Sequence, residues 1–381
     1  MKLHFRALIC AAAVASLPGL SSAEVRVGVT VGTTGPAASL GIPYRNAFDI
    51  LPDTLGGEPV RYIILDDASD PTNATRNARR LIEEDKVDIL LGSGTTPSST
   101  AVSEVAGQFK VPQIALSPVA PAALQSNPWT FTVAQPVSVM MGSVVDHIKK
   151  NGGKTVGYIG FADSWGDLVL SGTTANTDKN DMEVVANERY GRVDTSVAGQ
   201  VLKLMSARPD AVVVGGSGTP GALPHVALRD RGYQGPIYHN HGVINRDFLR
   251  VGGKALEGGF APTGPVMVAE QLPDDNPIKP VALKFSDAYE TKFGDGSRNA
   301  FSAYTYDAYL LADAAVAEAK KKAEPGTPEF RAAVRDALEN TKELVGTHGV
   351  YNMTPTDHIG VDQRAAVLVR ITDGDWELVK N

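Results

Sequence analysis

The sequence is almost without cysteine, since the single one among its 381 residues is Cys10. If the chain is cut before Glu24, as argued below, no thiol is left for a disulfide, a nucleophile or a metal ligand. An excess of basic residues is also missing, because 36 Lys and Arg stand against 43 Asp and Glu, for a net charge of -7. That balance argues against a nucleic-acid partner, which needs a dense basic patch.

Long apolar segments are missing as well. After the first 23 residues, no segment reaches the roughly 18 uninterrupted apolar residues of a membrane-spanning helix. The first 23 residues have the parts of a secretory signal: Lys2 and Arg6 precede a short apolar run, and Ser21-Ser22-Ala23 places small residues before a cut. The sequence therefore predicts a signal peptide over residues 1–23, cleaved near Ala23, and an exported mature chain.

Short β-branched runs alternate with amphipathic helical patterns along the chain. The pattern Pro71–Glu84, for example, begins after a possible N-cap at Asp70. Such alternation predicts an α/β fold, with parallel strands covered by helices on both faces. The predicted strands are Val25–Val31, Val60–Leu65, Val87–Leu91, Gln113–Leu116, Thr155–Phe161, Glu183–Ala186, Ala211–Val214, Pro236–Tyr238, Ala365–Ile371 and Trp376–Val379, and the further helices are Ser98–Phe109, Asn299–Lys322 and Pro328–Thr341.

One stretch of the pattern occurs twice. Residues 88–97 and 210–220 both run from a strand through Gly-Ser-Gly-Thr to a proline, and a proline-led strand follows each about fifteen residues later. Glycine after a strand is common in any parallel sheet, so the glycines alone do not establish a repeat. The matching spacing favours two similar doubly wound lobes, and the late return to helix suggests that the chain crosses between them more than once.

Motifs of catalysis and cofactor binding are weak. Gly216–Gly221 matches the G-x-G-x-x-G dinucleotide pattern, but the next strand ends at residues 238–241 without the required acid. His239 and His241 alternate along that strand end, yet no other histidine stands at a spacing typical of zinc. No G-x-S-x-G elbow occurs. We therefore expect no cofactor, no metal and no enzymatic activity; a serine hydrolase remains the enzyme alternative, with no base identified for it.

A cluster of hydroxyl side chains suggests a binding site instead. Thr95, Thr96, Ser98 and Ser99 follow a predicted strand and open a predicted helix, and the loop from Ser117 follows the next strand. Ligands of open α/β sheets sit at the carboxyl ends of strands, and a helix N-terminus favours a carboxylate. Ordinary N-capping accounts for one such residue, so four are a surplus.

Several loose motifs stand in a specific order: Thr34–Gly41, Asp66–Pro71, Gly92–Thr96, Asp163–Gly166, Tyr304–Ala308 and Asp357–Asp362. In this order the chain resembles the periplasmic solute-binding proteins of the branched-chain amino-acid (Leu/Ile/Val) ABC-transporter type. The resemblance implies a type I periplasmic-binding fold, with two lobes joined by a three-crossover hinge and a ligand sealed in the cleft between them. It also implies a periplasmic location and delivery of the ligand to a cognate ABC-transporter permease in the inner membrane. We expect a monomer with residues 24–133 and 262–346 in lobe 1, and 134–261 and 347–381 in lobe 2.

The resemblance assigns roles to five residues of the cleft. Thr96 stands where relatives place a serine that binds the ligand carboxylate, and Val119 and Ala120 stand where backbone groups bind it. Trp165 stands at an aromatic position of the second lobe that covers the ligand. His241 stands where amino-acid binders carry a glutamate that neutralises the ligand's ammonium group.

The lost glutamate changes the expected ligand. A buried ammonium without an anionic partner costs several kcal/mol, so we expect a carboxylic acid without an α-amino group. Some relatives with a similar loop look like binders of benzoate-type acids, which favours an aromatic acid such as a benzoate or cinnamate derivative. The alternatives are a branched-chain or other amino acid, or a role as a ligand-sensing receptor subunit. The expected contacts are Leu40, Tyr44, Thr95, Thr96, Ser117, Val119, Ala120, Trp165, Ser217, His239, His241 and Tyr304, with His239 replacing His241 if the alignment shifts.

Overall fold

The computed structural model describes residues 24–380, so the predicted signal peptide lies outside the described residues. The strands are β1 Val25–Val31, β2 Thr54–Leu55, β3 Glu58–Asp66, β4 Ile89–Gly92, β5 Gln113–Ala115, β6 Thr130–Thr132, β7 Thr155–Phe161, β8 Glu183–Tyr190, β9 Ala211–Gly215, β10 Ile237–His239, β11 Phe260–Thr263, β12 Leu344–Val345, β13 Val350–Tyr351, β14 Val367–Thr372 and β15 Asp375–Leu378. Every predicted strand overlaps one of these.

The helices lie between the strands, as the alternating pattern predicts. They are α1 Ala38–Ala47, α2 Pro71–Glu83, α3 Thr96–Phe109, α4 Pro121–Ser126, α5 Val137–Lys150, α6 Ser164–Lys179, α7 Ala198–Ser206, α8 Ala222–Asp230, α9 Arg246–Gly252, α10 Ile278–Phe293, α11 Ala300–Ala319 and α12 Pro328–Glu339. The start of α2 is the predicted one, because the Asp70 carboxylate accepts a hydrogen bond from the Asn73 amide at 2.9 Å. Within the described residues, no helix combines the length and apolarity needed to cross a bilayer.

Two separate sheets form the two lobes. The first has the strand order β2-β3-β1-β4-β5-β6, and the second has β15-β14-β11-β10-β9-β7-β8. Each contains five parallel strands with the same connectivity, β3-β1-β4-β5-β6 in one and β8-β7-β9-β10-β11 in the other. This confirms the expected pair of similar doubly wound lobes and the type I periplasmic-binding fold.

Helices cover both faces of the first sheet, which explains its apolar strands. Val25, Val27, Val29 and Val31 are fully buried in one core cluster with residues of α11 and α12. Each such valine contributes roughly 1.5–3 kcal/mol relative to an exposed one. On the opposite face, a Cβ at Gly28 would lie 3.1 Å from side chains of the α2 region, so glycine lets that layer pack close to the sheet.

Three crossovers connect the lobes: residues 133–136, residue 264, and residues 362–366. Thr263 still pairs with Val367 in the second sheet, so lobe 2 extends past the expected boundary at 261. Tyr351 and Met353 lie in the core of lobe 1, and the Tyr351 hydroxyl donates to the Val133 carbonyl at 3.0 Å. Lobe 1 therefore reaches beyond the expected end at 346, because this buried tyrosine anchors the chain there.

Candidate functional site

A cavity lies between the lobes at the carboxyl ends of the parallel strands. It leaves about 340 Å³ of empty space, part of which is open to solvent. Lobe 1 and lobe 2 contribute facing walls, so a bound molecule would touch both. The lining residues are Leu40, Tyr44, Gly94, Thr95, Thr96, Leu116, Ser117, Pro118, Phe301 and Tyr304 from lobe 1, and Trp165, Arg192, Ser217, His241 and Gly242 from lobe 2.

The two Gly-Ser-Gly-Thr loops meet across this cavity. The first follows β4 and leads into α3, bringing Gly94, Thr95 and Thr96 to the wall. The second follows β9 and brings Ser217 to the opposite wall. The repeat in the sequence thus corresponds to equivalent strand ends in the two lobes, which face each other in the structure.

The lobes touch beside the cavity. The Thr219 amide of lobe 2 donates to the Ser39 hydroxyl of lobe 1 at 3.3 Å. Gly218 has φ +57°, and a Cβ there would lie 2.6 Å from the Leu40 side chain. The absence of a side chain at Gly218 therefore permits both its left-handed backbone conformation and the close approach of the two lobes.

Three rings of lobe 1 form an aromatic wall. The ring of Tyr44 lies 5.5 Å from that of Phe301 and 6.5 Å from that of Tyr304, centroid to centroid. The Tyr44 hydroxyl donates to the Leu116 carbonyl at 2.6 Å, inside the same lobe. Burial raises the pKa of both tyrosines far above their ordinary value, so the wall is neutral.

Trp165 enters from lobe 2, where the start of α6 positions it. The Asp163 carboxylate caps this helix by accepting from the Trp165 and Gly166 amides at 2.9 and 3.2 Å. The indole Nε1 donates to the Gly216 carbonyl at 3.2 Å. The ring meets His241 edge to face, with centroids 5.3 Å apart. Its placement is thus fixed by protein groups before any ligand contact.

His241 has no hydrogen-bond partner for either ring nitrogen among the described residues, although its side chain is buried. Its backbone is held by Asn240, whose side chain accepts from the Gly242 amide at 2.7 Å and donates to the Val214 and Gly216 carbonyls. Burial, with a smaller contribution from nearby His348, lowers the pKa of His241 to about 3. The ring is therefore neutral near pH 7 and offers one donor and one acceptor to the cavity.

Arg192 is a charged residue of the site that the sequence did not predict. It follows β8, its Nε donates to Asp163 at 2.6 Å, and one terminal nitrogen donates to the Ser217 hydroxyl at 3.2 Å. The guanidinium carbon lies 4.4 Å from the ring centroid of Phe161. A carboxylate-binding site is expected to contain a cation, and this expectation could have directed attention to an arginine. The sequence around Arg192 matches no motif, however, so nothing singled out this one.

Three of the predicted hydroxyl groups, those of Thr96, Ser99 and Ser117, are engaged within lobe 1. The Thr96 hydroxyl donates to the Pro118 carbonyl at 2.8 Å. The Ser99 hydroxyl donates to the Ser93 carbonyl, so the 2.8 Å contact with Ser117 uses the Ser117 hydrogen. What remains is the amino end of α3, whose first amides have no acceptor within the helix. Backbone amides thus supply positive potential at this wall, and the buried Ser98 hydroxyl has no hydrogen-bond partner among the described residues.

Of the twelve expected contacts, Leu40, Tyr44, Thr95, Thr96, Ser117, Trp165, Ser217, His241 and Tyr304 line the cavity. Three do not. His239 is fully buried against His225, with 2.8 Å between ring nitrogens, because its side chain points from β10 into the lobe. Val119 lies in a neighbouring depression, and Ala120 precedes α4, so Pro118 takes their expected place at the wall. The residues missed are Gly94, Leu116, Pro118, Arg192, Gly242 and Phe301; several of them flank predicted ones.

Comparison with known proteins agrees with this architecture. An extracellular ligand-binding receptor from Rhodopseudomonas palustris HaA2 superimposes with a TM-score of 0.91 and 46% identity, covering 94% of this chain and 100% of that one. A Rhodopseudomonas palustris ABC-transporter solute-binding protein, solved in complex with benzoate, gives a TM-score of 0.77 at 20% identity, covering 93% and 95%. At that identity the second comparison shows the fold alone.

Sequence comparison gives the same family. An amino acid binding protein of Pseudomonas aeruginosa is 27% identical over 263 residues, which are 65% of this chain and 70% of the relative. The family model described as periplasmic binding protein matches residues 24–375. With its two lobes, facing strand ends and interlobe cavity, this chain belongs to the periplasmic binding protein family.

Proposed function

We propose that this chain is an exported solute-binding protein that captures a small carboxylic acid without an α-amino group and delivers it to an ABC-transporter permease. An aromatic acid, such as a benzoate or cinnamate derivative, is the proposed ligand. The observation that carries the proposal is the charge of the cavity: among residues 24–380, those that line it include one cation, Arg192, and no aspartate or glutamate.

An ammonium group has no anionic partner in this lining. The nearby carboxylate of Asp163 already pairs with Arg192 at 2.6 Å and caps α6 with the same side chain. An amino-acid ligand would place its ammonium close to the Arg192 cation and next to neutral His241. Breaking or omitting one partner of a buried ion pair costs about 3–5 kcal/mol, which disfavours amino acids.

A carboxylate, by contrast, meets positive potential on both lobes. The amino end of α3 supplies it from lobe 1, and the Arg192 guanidinium supplies it from lobe 2. A ligand that interacts with both walls binds the closed arrangement better than the open one. That difference in affinity is what drives closure.

The neutral part of the ligand fits between rings. Tyr44, Phe301 and Tyr304 stand on one side and Trp165 on the other. Offset or edge contacts between rings contribute about 0.5–1.5 kcal/mol each beyond the area they bury. The benzoate complex of a Rhodopseudomonas palustris protein with the same fold supports an aromatic acid. The relative named as an amino acid binding protein supports the alternative.

A binding panel separates the two ligand classes. We expect benzoate, 4-hydroxybenzoate and 4-hydroxycinnamate to raise the melting temperature of the protein, and leucine and valine to leave it unchanged. Calorimetry would then give the affinities. Binding of leucine or valine in preference to every aromatic acid would contradict the proposed ligand class.

A matched pair of variants tests the role of the cation. Arg192→Gln should weaken binding of the aromatic acid by roughly tenfold or more, since a hydrogen bond to a charged group contributes about 1.5–3 kcal/mol. Arg189→Gln is the control, because Arg189 lies near the end of β8, three residues before Arg192, but pairs with Asp167 and does not line the cavity. Equal losses in the two variants would show that Arg192 acts through stability and not through ligand charge.

A further inference from the structure

The three crossovers between the lobes meet at one buried point. Gln135 lies in the first, Gly264 is the second and Ala365 lies in the third, and His348 packs against them from lobe 1. A Cβ on Gly264 would be 1.9 Å from His348 Nδ1 and 2.7 Å from Gln135 Nε2. Glycine therefore lets these two side chains pass directly over the middle crossover.

The partners of His348 determine which of its ring nitrogens is a donor and which is an acceptor. His348 Nε2 lies 2.9 Å from the Ala300 carbonyl, so this nitrogen carries the hydrogen. Its Nδ1 then accepts from Gln135 Nε2 at 3.2 Å. The same Gln135 nitrogen donates to the Ala365 carbonyl at 3.2 Å, which ties the end of the third crossover to the first.

Tyr304 connects this hinge cluster, made of Gln135, Gly264 and His348, to the ligand cavity. Its ring lines the cavity and stacks on His348, with centroids 4.0 Å apart and an interplanar angle of 17°. Its hydroxyl donates to the Gln135 side-chain oxygen. Tyr44 lines the same cavity, but its hydroxyl bonds to Leu116 inside lobe 1.

We propose that Gln135 and His348 are positioning residues that hold the lobes closed, and that Tyr304 transmits contact with the ligand to them. In this proposal, rotation of the lobes shifts the crossovers relative to lobe 1 and separates Gln135 from Tyr304, His348 and Ala365, so that the three bonds stabilise the closed arrangement. This coupling between ligand contact and lobe closure requires no movement of the cavity wall outside the hinge cluster. The proposal rests on the proposed function only in that a ligand binds between the lobes; it does not depend on which ligand.

Removing one of these hydrogen bonds should lower the closed-to-open ratio. A buried hydrogen bond of this kind changes such a ratio by about two- to tenfold. When binding requires the closed form, the apparent dissociation constant rises by the factor by which the closed fraction falls. That factor is the same for every ligand, whereas loss of a direct ligand contact would affect different ligands unequally.

The first experiment measures lobe separation in protein expressed from the full chain, without ligand and with benzoate. Spin labels on Ile42→Cys and Val193→Cys report it, since these side chains are 47% and 75% exposed on opposite lobes. No cysteine lies in residues 24–381 to compete for label. Tyr304→Phe should shift the distances toward open by about two- to tenfold in population, and Tyr44→Phe should not.

Equal distance distributions for Tyr304→Phe and wild type would overturn the proposal. Equal shifts in Tyr304→Phe and Tyr44→Phe would also overturn it, because both variants lose a buried hydroxyl bond at the cavity wall. An unliganded wild type without a closed population would do the same, since the hinge cluster consists of protein groups and needs no ligand to form. These outcomes are independent of whether benzoate binds, so failure of the proposed ligand class is distinguishable.

The second experiment compares affinities across ligands. Gln135→Met, at a residue that does not line the cavity, should weaken benzoate and 4-hydroxybenzoate by one common factor, as should Tyr304→Phe. The double variant should lose little more than either single one, because both remove the same coupling. Unequal factors for the two ligands, or fully additive losses, would show that Tyr304 acts by touching the ligand alone.

Discussion

Acid should destabilise this protein strongly between pH 7 and pH 5, because three of its histidines are buried without charge. Burial lowers the pKa of His239 and His241 to about 3 and that of His348 to about 4. In the unfolded chain each has the ordinary value near 6.5. The unfolded state therefore binds more protons than the folded state in this window, and the free energy of unfolding falls as the pH falls.

The magnitude follows from the size of these pKa differences. Lowering the pH from 7 to 5 removes about 2 kcal/mol of stability per histidine, or roughly 6 kcal/mol for the three. His225, whose pKa burial also lowers, adds to the same trend.

One buried carboxyl group, that of Asp307, has the opposite effect on stability at low pH. Asp307 is fully buried, and burial raises its pKa to about 6 despite hydrogen bonds from Thr347, His348 and Tyr351. The folded state binds its proton more readily than the unfolded state, so the protonation of Asp307 restores about 1 kcal/mol of stability between pH 7 and pH 5. The net expectation is a loss of roughly 5 kcal/mol.

Urea unfolding followed by tryptophan fluorescence at several pH values measures this slope. The variant His241→Asn, which cannot titrate, should lose about 2 kcal/mol less than wild type over the same range. His147→Asn is the comparison, because the ring of His147 is only partly buried and should flatten the slope much less. A free energy of unfolding that stays constant or rises from pH 7 to pH 5 would refute the reasoning.

Three further predictions concern the cleft and the hinge. Trp165→Ala should weaken binding of the aromatic acid by about tenfold or more in calorimetry, while an unchanged affinity would rule out a stacking role for the indole. Gly264→Ala should lower the melting temperature sharply, because the new Cβ would lie 1.9 Å from His348 Nδ1; a melting temperature within a degree of wild type would contradict this. Asn240→Ala should cost about 1–3 kcal/mol in urea unfolding, since the Gly242 amide and two carbonyls lose their buried partner; a loss below about 0.5 kcal/mol would contradict it.

The sheets were accessible from sequence because burial on both faces leaves a strong signal. Strands β1 and β7 have the predicted bounds, and both are dominated by apolar residues that the structure buries. The doubled Gly-Ser-Gly-Thr loop was informative for a related reason. Where the chain turns from a parallel strand into a helix and packs close to a neighbouring segment, the turn needs small residues. Two such turns at equal spacing in the sequence indicate two lobes.

The residues that were missed depend on contacts across the fold. Arg192 reaches the cavity through its bonds to Asp163 and Ser217, which lie 29 and 25 residues away in the chain. His239 and His241 alternate in sequence, and alternation alone does not tell which side of β10 faces the cleft. The structure decides this through His225, which pairs with His239 inside the lobe.

The ion pair between Arg192 and Asp163 has a consequence for the speed of ligand capture. Because the guanidinium is neutralised within its own lobe, the open cleft presents no bare cation to a distant anion. The chain as a whole is acidic, with a net charge of -7. A carboxylate should therefore approach without long-range attraction, and its association rate should hold steady or rise slightly as added salt screens the overall repulsion.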